Sequence, residues 1–320
     1  GGGAPSTGEK GEEGEDEALV LTRDNAIDRF RGRLMVPIRD GAGEVVGFGA
    51  RSLTDGQKPK YLNSPEGPVF SKGRTLFGLD AAKAAARERG EVILVEGYFD
   101  VIALHSQNIT NAVGVLGSAI TDENLRAAAK LTKDKRVVLN MDADVAGAGA
   151  VAGLCASGRL LALAEEGVSV KVATMAGDAK DPAEFLIAQS AEEYRSQIIE
   201  KAQVWSEWYG DYLLSEYEAD DPESFRRVVN SLTAFLATLP AADRTFHCYR
   251  FAKKLANGNV SLQVQLESDL IDQTQAKERI KQSLMERGLA PGPEAAAGTS
   301  PGRGSAAGPP AAAAAALPPS

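Results

Sequence analysis

The stretch "EVILVEGYFDVIAL", residues 91–104, combines an apolar run with two acids and a glycine. The run Val92–Val95 has the length and composition of a short buried strand. Glu96 follows it directly, Gly97 comes next, and Asp100 lies three residues further on. Glycine lets a backbone turn sharply or lets a ligand approach it closely. The stretch therefore predicts a strand that delivers a carboxylate at its end.

Strands and helices are predicted to alternate from this strand onward, to about residue 190. Further apolar runs that predict strands lie at 111–116, 136–141 and 168–175. The stretches between them predict helices at 99–106, after the N-cap residue Thr121, at 145–166 and from Pro182. Alternation at this spacing is typical of an α/β fold, in which a parallel sheet has both faces covered by helices.

The two ends of the chain differ in composition from its middle. Residues 1–19 are rich in Gly and Glu and predict a disordered acidic linker, and residues 288–320 predict a disordered Ala/Pro/Gly tail. Between them we expect a basic segment at 20–90, the alternating domain at 91–190 and a helical domain at 191–287. The glycine-rich stretch 41–49 predicts a hairpin, and 223–239 has the apolar spacing of a bundle helix.

Composition excludes several classes of protein. The chain has 320 residues, 43% of them hydrophobic, which is enough for at least one full core. No apolar run approaches the ~20 residues that cross a bilayer, so we expect a soluble protein without a membrane partner. The only cysteines are Cys155 and Cys248, and the only histidines are His105 and His247. This set predicts neither a Cys-rich zinc site within the chain nor a disulfide framework.

The charge is segregated along the chain. The formal net charge is −9, yet residues 20–90 hold thirteen Lys and Arg against eight Asp and Glu. Residues 91–190 show the reverse, with eight bases and thirteen acids. Ordinary solvated charge is the simpler explanation from composition alone. The alternative is an enzyme that holds phosphates on one side and metal ions on the other.

The acids follow the predicted strands. Glu96 ends the first strand, Asp142 and Asp144 follow "VVLNM", and Asp181 lies in the loop after the fourth strand. In an open α/β sheet the carboxyl ends of parallel strands share one edge, where ligands bind. Residues 142 and 144 face the same side of an extended segment. We therefore expect these carboxylates to converge, together with Asp100.

Converging carboxylates repel one another and raise each other's pKa unless a cation lies among them. Oxygen ligands without nearby His or Cys favour Mg²⁺ or Mn²⁺ over zinc. A single acid of this kind is more often a helix cap or a strand end. Three strands that end in acids at one edge instead favour a metal-dependent site for phosphoryl transfer.

The motifs "VEGYFDVIAL", "DADVAGAGA" and "KDPAEFL" together resemble the Toprim domain shared by primases, topoisomerases and some nucleases. The preceding blocks "DRFRGRLMVPIRDGAGEVVGFGARSL" and "KYLNSPEGPVFSKGRTLFGLDAAK" resemble the catalytic core of bacterial-type DnaG primase. The resemblance implies a Toprim-type parallel sheet flanked by helices, an N-terminal mixed α+β segment that forms part of a lobe, and a C-terminal helical bundle.

The resemblance also implies a function: synthesis of short RNA primers on single-stranded DNA from ribonucleoside triphosphates, with two or more Mg²⁺ or Mn²⁺ ions. Glu96, Asp142 and Asp144 would be catalytic, and these three with Asp100 and Asp181 would hold the metal. A replicative helicase is an implied partner, through regions not evident in this chain. The implied location is the cytoplasm and nucleoid of a bacterium, with a plastid stroma as the alternative.

The basic segment supplies the implied nucleotide and template contacts. Arginine grips phosphate through two parallel hydrogen bonds, whereas lysine acts as a mobile point charge. The resemblance assigns these contacts to Arg31, Arg33, Arg51, Lys60, Lys72 and Arg74. Tyr61 and Asn63 adjoin Lys60, and we expect them to steady a base or a sugar.

Departures from the family pattern leave alternatives open. The family pattern reads Asp-Pro-Asp where this chain has Asp181-Pro182-Ala183, so one expected acid is missing. The zinc-binding module that normally precedes the core is not within this chain. One alternative is therefore a catalytically weakened primase-like protein that binds DNA in the replisome. Another is a Toprim nuclease or topoisomerase-like enzyme.

Overall fold

The computed structural model describes residues 27–117, 119–218 and 221–287. The predicted N-terminal linker and C-terminal tail lie outside these residues. The described chain divides into two units. The first contains residues 27–35 and 50–62, and the second contains the described residues of 36–49 and from Asn63 onward.

A three-stranded sheet precedes the alternating domain. Its strands are adjacent in the order β1-β2-β3, and the boundary between the units falls within each strand. The strands are β1 (Arg33–Arg39), β2 (Val45–Ser52) and β3 (Tyr61–Asn63). A tight turn joins β1 to β2, in which the Asp40 N–H donates to the Glu44 carbonyl at 2.9 Å. This confirms the hairpin predicted from the glycine-rich stretch.

The second sheet has five strands in the order β5-β4-β6-β7-β8. Strands β4 to β7 pair parallel with one another, which confirms the predicted parallel sheet. The last strand pairs antiparallel with β7 and was not predicted, because two residues are too few to show a period. The strands are β4 (Glu91–Val95), β5 (Ala112–Gly114), β6 (Arg136–Leu139), β7 (Ser169–Val172) and β8 (Gln203–Val204).

Helices cover both faces of this sheet. Val92 and Leu94 of β4 pack in one core cluster, and Ile93 and Val95 pack in another. The first cluster includes residues of α1 (Leu79–Arg89), α3 (Asp122–Ala129), α4 (Val145–Ala156) and α5 (Arg159–Glu165). The second includes residues of α2 (Tyr98–Ser106), α6 (Pro182–Ala188), α7 (Ala191–Tyr194) and the π-helical turn Arg195–Ile199. Burial on both faces explains why β4 is a continuous apolar run.

The predicted helix 145–166 is wrong in one respect, because the structure contains two helices there. Gly158 has a φ of 75°, a left-handed conformation that ends the regular helix. Helices α4 and α5 consequently meet at an angle of 58°. In the described ranges no single helix is long and apolar enough to span a membrane, although this bent pair would pass that test together.

The C-terminal part of the described chain is helical, as predicted. Its aromatic and aliphatic residues, among them Trp205, Phe235 and Phe251, continue the core cluster that lies against the sheet. Gly210 permits this packing, since a Cβ there would lie 1.9 Å from the Phe251 ring. The helices are α8 (Trp205–Ser215), α9 (Pro222–Leu236), α10 (Ala241–Leu255) and α11 (Val260–Glu286).

Candidate active site

The predicted acids meet at the carboxyl edge of the parallel sheet. Glu96 follows β4, and its Oε1 accepts the backbone N–H of Asp142, just beyond β6, at 3.2 Å. Asp100 lies in the first turn of α2, and its Oδ1 accepts the Ala183 N–H of α6 at 3.4 Å. The Glu96 carboxylate thus contacts the segment of Asp142, and the Asp100 carboxylate contacts the helix that Asp181 caps.

Three of the acids also cap helices. Asp144 is the N-cap of α4 and accepts the Gly147 N–H at 2.8 Å. Asp181 is the N-cap of α6 and accepts the Glu184 N–H at 2.7 Å. Asp100 Oδ2 accepts the Gly97 N–H at 3.1 Å. Each cap uses one carboxylate oxygen, and within the described residues the second oxygen of Asp144 and of Asp181 accepts no hydrogen bond.

Burial and the neighbouring negative charges both raise the pKa values of these acids. Burial raises the pKa of Asp142 to about 7, and the charges of Glu96, Asp100, Asp181 and Asp144 add to that rise. Burial, with the charges of Asp181 and Glu96, raises the pKa of Asp100 to about 6. The pKa of Glu96 is also raised, by burial and by Asp144, against the hydrogen bond from the Asp142 N–H.

These raised pKa values have a consequence for stability. Asp100 and Asp142 bind a proton more tightly in the folded protein than in the unfolded chain, where their pKa is near 3.8. Protonation therefore stabilises the cation-free fold at low pH, and that contribution is lost as the pH rises through about 6 to 7. At neutral pH the cluster carries unfavourable negative charge that a cation would relieve.

Two glycines leave room for the acids, Gly147 where two acid-bearing segments approach and Gly97 within one of them. A Cβ on Gly147 would lie 2.3 Å from the Asp142 carbonyl oxygen and 2.9 Å from Glu96 Oε1. A Cβ on Gly97 would lie 2.8 Å from Asp100 Oδ2. Gly97 has an extended backbone, with φ −124°, so close approach is the reason for glycine there, not a left-handed turn.

The donor set fits a hard divalent cation in kind and in charge. Carboxylate oxygens are the ligands that Mg²⁺ and Mn²⁺ prefer, and the neighbouring negative charges raise the pKa of Asp100 and Asp142 in addition to the larger effect of burial. In the part of the chain that the structure describes, no three His, Cys, Asp or Glu side chains are grouped closely enough to hold a metal ion as they stand. The carboxylates that would bind a cation are therefore present, but they are not grouped as a complete set of ligands.

Glu184 does not replace the acid that is missing at Ala183. Its side chain is exposed, and its carboxylate accepts the Lys180 N–H at 3.0 Å, within its own turn. Ala183 itself is half-buried, and its backbone N–H contacts Asp100. The position that departs from the family pattern thus borders the acid cluster (Glu96, Asp100, Asp142, Asp144 and Asp181).

The predicted basic residues of the first unit surround an exposed tyrosine. The ring of Tyr61 is 42% exposed. The Arg51 guanidinium and Lys60 Nζ each lie 5.7 Å from its centroid, within the range of a cation–π contact. Arg33 donates to the Lys60 carbonyl at 3.4 Å, and Arg31 is exposed, with its carbonyl accepting from Gln57.

The three remaining predicted contact residues belong to the second unit. Arg74 is exposed and Lys72 is half-buried, and both positive charges lower the pKa of Glu66 beyond the main effect of its hydrogen bond from the Lys72 N–H. Asn63 differs, because its side chain is buried. It donates to the Leu116 carbonyl at 2.8 Å and accepts the Tyr98 hydroxyl at 2.5 Å. Its amide is thus engaged within the protein.

Family comparisons agree with this geometry. Residues 6–83 match the model of the DNA primase catalytic core, N-terminal domain, and residues 90–174 match that of the Toprim domain. The DNA primase of Synechococcus elongatus is 42% identical over 261 residues, which cover 80% of this chain and 37% of the relative. The chain spans about two fifths of the length of such curated relatives.

Solved structures show the same fold. A DNA primase domain from Pseudomonas aeruginosa is 33% identical with a TM-score of 0.60, and the match covers 78% of this chain and 76% of that one. A DnaG primase catalytic domain bound to single-stranded DNA is 31% identical with a TM-score of 0.59, covering 74% and 72%.

The parallel sheet with acids at its carboxyl edge defines a Toprim-type domain. With the N-terminal domain match and the similarity to whole catalytic cores, the chain belongs to the family of DnaG-type DNA primase catalytic cores. Membership of this family implies dependence on a metal ion.

Proposed function

We propose that the chain is the RNA-polymerising core of a DNA primase and extends short RNA primers on a single-stranded DNA template. The observation that carries the proposal is the convergence of acids from three segments, in which Glu96 contacts Asp142 and Asp100 contacts Ala183. A solved relative bound to single-stranded DNA supports the choice of template. The bacterial relatives support a bacterial cytoplasm as its location.

The reaction joins the 3′-hydroxyl oxygen of the primer to the α-phosphorus of a ribonucleoside triphosphate and releases pyrophosphate. Glu96, Asp142 and Asp144 would hold Mg²⁺ or Mn²⁺, with Asp100 and Asp181 at the border of the site. When bound, a pair of such ions activates the attacking hydroxyl and neutralises charge on the leaving group. Glu96 would serve as a metal ligand or as the acceptor of the hydroxyl proton, and burial raises its pKa, which makes it a stronger base than an exposed glutamate.

The basic residues would hold the two nucleic-acid components. Arg31, Arg33, Arg51, Lys60 and Tyr61 form one candidate contact set, and Lys72 and Arg74 form a second. The cation-flanked, exposed ring of Tyr61 suits stacking of a base. Asn63 is left out of the proposed contacts, since its amide is buried and paired. A replicative helicase would act through regions outside this set.

Replacement of one of these acids by its uncharged amide tests the proposal. Asp142→Asn should reduce metal-dependent incorporation of ribonucleotides at least about 100-fold, the upper end of the loss expected when even an outer partner of a metal site is removed. Its melting temperature without metal should be unchanged or higher, because a repulsive charge is gone. Primer extension on a single-stranded template and thermal unfolding measure the two effects.

Asp269→Asn is the matched control, since Asp269 is an exposed acid of α11. It should leave incorporation unchanged. Near-normal primer synthesis by Asp142→Asn would contradict the proposed site. Absence of synthesis by the unmodified protein at every metal concentration would instead favour a non-catalytic, DNA-binding role.

A further inference from the structure

A buried amide immediately precedes the candidate metal site in the chain. Asn140 follows β6, two residues before Asp142, and its side chain is fully buried. Its Nδ2 donates to the Ala173 carbonyl and to Met175 Sδ, each at 3.2 Å, which ties the end of β6 to the segment that follows β7. Its Oδ1 accepts the hydroxyl of Tyr194 at 2.6 Å.

Tyr194 connects the same amide to the other acid-bearing segments. Its side chain is fully buried, and its ring meets that of Phe185 edge-on at 5.9 Å. Phe185 belongs to α6, whose N-cap is Asp181. Burial raises the pKa of the Tyr194 phenol, and the charge of Asp100 raises it further, which places the phenol within the field of the α2 acid.

The backbone around Tyr194 is unusual. Tyr194 is the last residue of α7, and the chain continues as the π-helical turn Arg195–Ile199. Such turns are rare and occur often at functional sites. Tyr194 and Ile198 pack in the core cluster that also contains Val95 and Val101, which flank Glu96 and Asp100.

Both polar groups need their partner. A buried hydroxyl or amide without a hydrogen bond is unfavourable, so the Tyr194–Asn140 bond allows only a narrow range of positions for the end of β6. A metal site requires its ligands to be held to a fraction of an ångström by the residues behind them. The pair is placed to give such support, since Asn140 lies two residues before Asp142 and Tyr194 packs on Phe185 of the helix that Asp181 caps.

We propose that Tyr194 and Asn140 are positioning residues that hold the Asp142-bearing segment at the spacing required to bind a divalent cation. This inference rests on the proposed function of the acid cluster. Neither residue touches the substrate or the cation. They act through the backbone that leads to Asp142, and through the packing of α6 on the tyrosine ring.

Calorimetric titration of the full chain with Mn²⁺ alone tests the inference without relying on catalysis. Tyr194→Phe removes the hydroxyl and keeps the ring, and Asn140→Leu removes the amide while keeping the number and branching of the side-chain heavy atoms. Each should raise the Mn²⁺ dissociation constant about ten-fold, the typical effect of an outer-shell partner. The double variant should show less than the sum of the two effects, because both act through one hydrogen bond.

A control separates positioning from general stability. Val228→Ala shortens a buried side chain of α9, outside the acid cluster. It should lower the melting temperature about as much as Tyr194→Phe does, without changing the affinity for Mn²⁺. Primer synthesis at saturating Mn²⁺ should stay within about two-fold of normal in Tyr194→Phe, because the substitution changes the metal concentration that is needed. A higher concentration of Mn²⁺ restores occupancy of a weakened site by mass action.

Asp142→Asn distinguishes failure of this inference from failure of the proposed site. If Asp142→Asn weakens Mn²⁺ binding and neither Tyr194→Phe nor Asn140→Leu does, the positioning role is refuted and the site stands. If Val228→Ala weakens binding as much as Tyr194→Phe, the effect is one of stability and the inference is also refuted. If Asp142→Asn itself binds Mn²⁺ normally, both the site and the positioning role are wrong.

Discussion

Ala183 borders the acid cluster at the position where the family pattern has an acid. Its backbone N–H contacts Asp100, whereas the Glu184 carboxylate accepts the backbone N–H of Lys180 at the start of its own helix. Ala183→Asp should therefore add a ligand or outer acceptor and lower the Mg²⁺ concentration for half-maximal primer synthesis by about ten-fold. Without metal, the added charge beside Asp100 should lower the melting temperature. A metal titration of primer synthesis and thermal unfolding measure both effects.

Ala183→Asn is the control for that substitution, since asparagine has the shape of aspartate without its charge. It should leave both the Mg²⁺ midpoint and the melting temperature near those of the parent protein. An unchanged midpoint for Ala183→Asp, in a protein that synthesises primers normally, would mean that the site is complete without an acid at this position.

Single residues show where sequence reasoning about the site ends. Glu96 and Asp142 were recognisable because each directly follows an apolar strand, and parallel strands end at one edge. Asn140 was missed, although an amide within the run "VVLNM" is a signal. Its partner Tyr194 lies 54 residues further along the chain, and no local pattern links the two. Asn63 was predicted to contact a nucleotide because it adjoins Lys60, and its buried hydrogen bonds to Leu116 and Tyr98 are likewise non-local and gave no signal in the sequence.

At the scale of the element, the first turn of α4 depends on a glycine. Gly147→Ala would place a Cβ 2.3 Å from the Asp142 carbonyl oxygen, so the helix must shift away from the site. Overpacking of this kind typically costs about 1–3 kcal/mol of stability. Because the shift also moves Glu96 and Asp142 apart, we expect primer synthesis to fall at least ten-fold. Urea unfolding and primer extension are the measurements.

Gly149→Ala provides the comparison within the same helix. Gly149 is exposed, and a Cβ there meets no atom within 4 Å. Alanine should stabilise the helix by about 0.5–1 kcal/mol and leave synthesis unchanged. Equal effects of the two substitutions would show that close approach at Gly147 does not matter.

The order of elements was predictable, and their breaks were not. Strands β4 and β6 are buried on both faces and appear as continuous apolar runs, whereas β7 alternates between buried and exposed residues. Together with the helical stretches between them, these patterns made the parallel sheet evident. The break at Gly158 was missed because the apolar pattern continues across it and glycine inside a helical pattern is often tolerated. The antiparallel strand β8 is held by its pairing with β7, a tertiary contact that two residues cannot signal.

At the scale of the whole molecule, segregated charge decides how nucleic acid would bind. The chain is acidic overall, with a net charge of −9, yet the segment 20–90 has an excess of five positive charges. Affinity for a polyanion depends on the phosphates that local cations neutralise, not on net charge. A protein of this composition can therefore hold single-stranded DNA along a basic segment while its acids hold a cation.

This distribution predicts a steep loss of affinity for single-stranded DNA as salt rises. Lys60 and Lys72 belong to the two candidate contact sets, and neither takes part in an ion pair within the described residues. The logarithm of the affinity falls as the logarithm of the salt concentration rises. Each replacement by Ala should make this slope shallower by about 0.7, the value for one phosphate on a single strand. Fluorescence anisotropy of a labelled oligonucleotide at several salt concentrations gives the slope.

Lys281→Ala is the matched control, because Lys281 is an exposed lysine of α11, far along the chain from the basic segment. Its loss changes the net charge by the same amount as the loss of Lys60 or Lys72. If binding responds to net charge alone, all three variants will shift the affinity equally and keep the slope. If the slope becomes shallower for Lys60→Ala and Lys72→Ala and stays unchanged for Lys281→Ala, the phosphate contacts lie in the basic segment. An unchanged slope for both would mean that the template lies elsewhere on the protein.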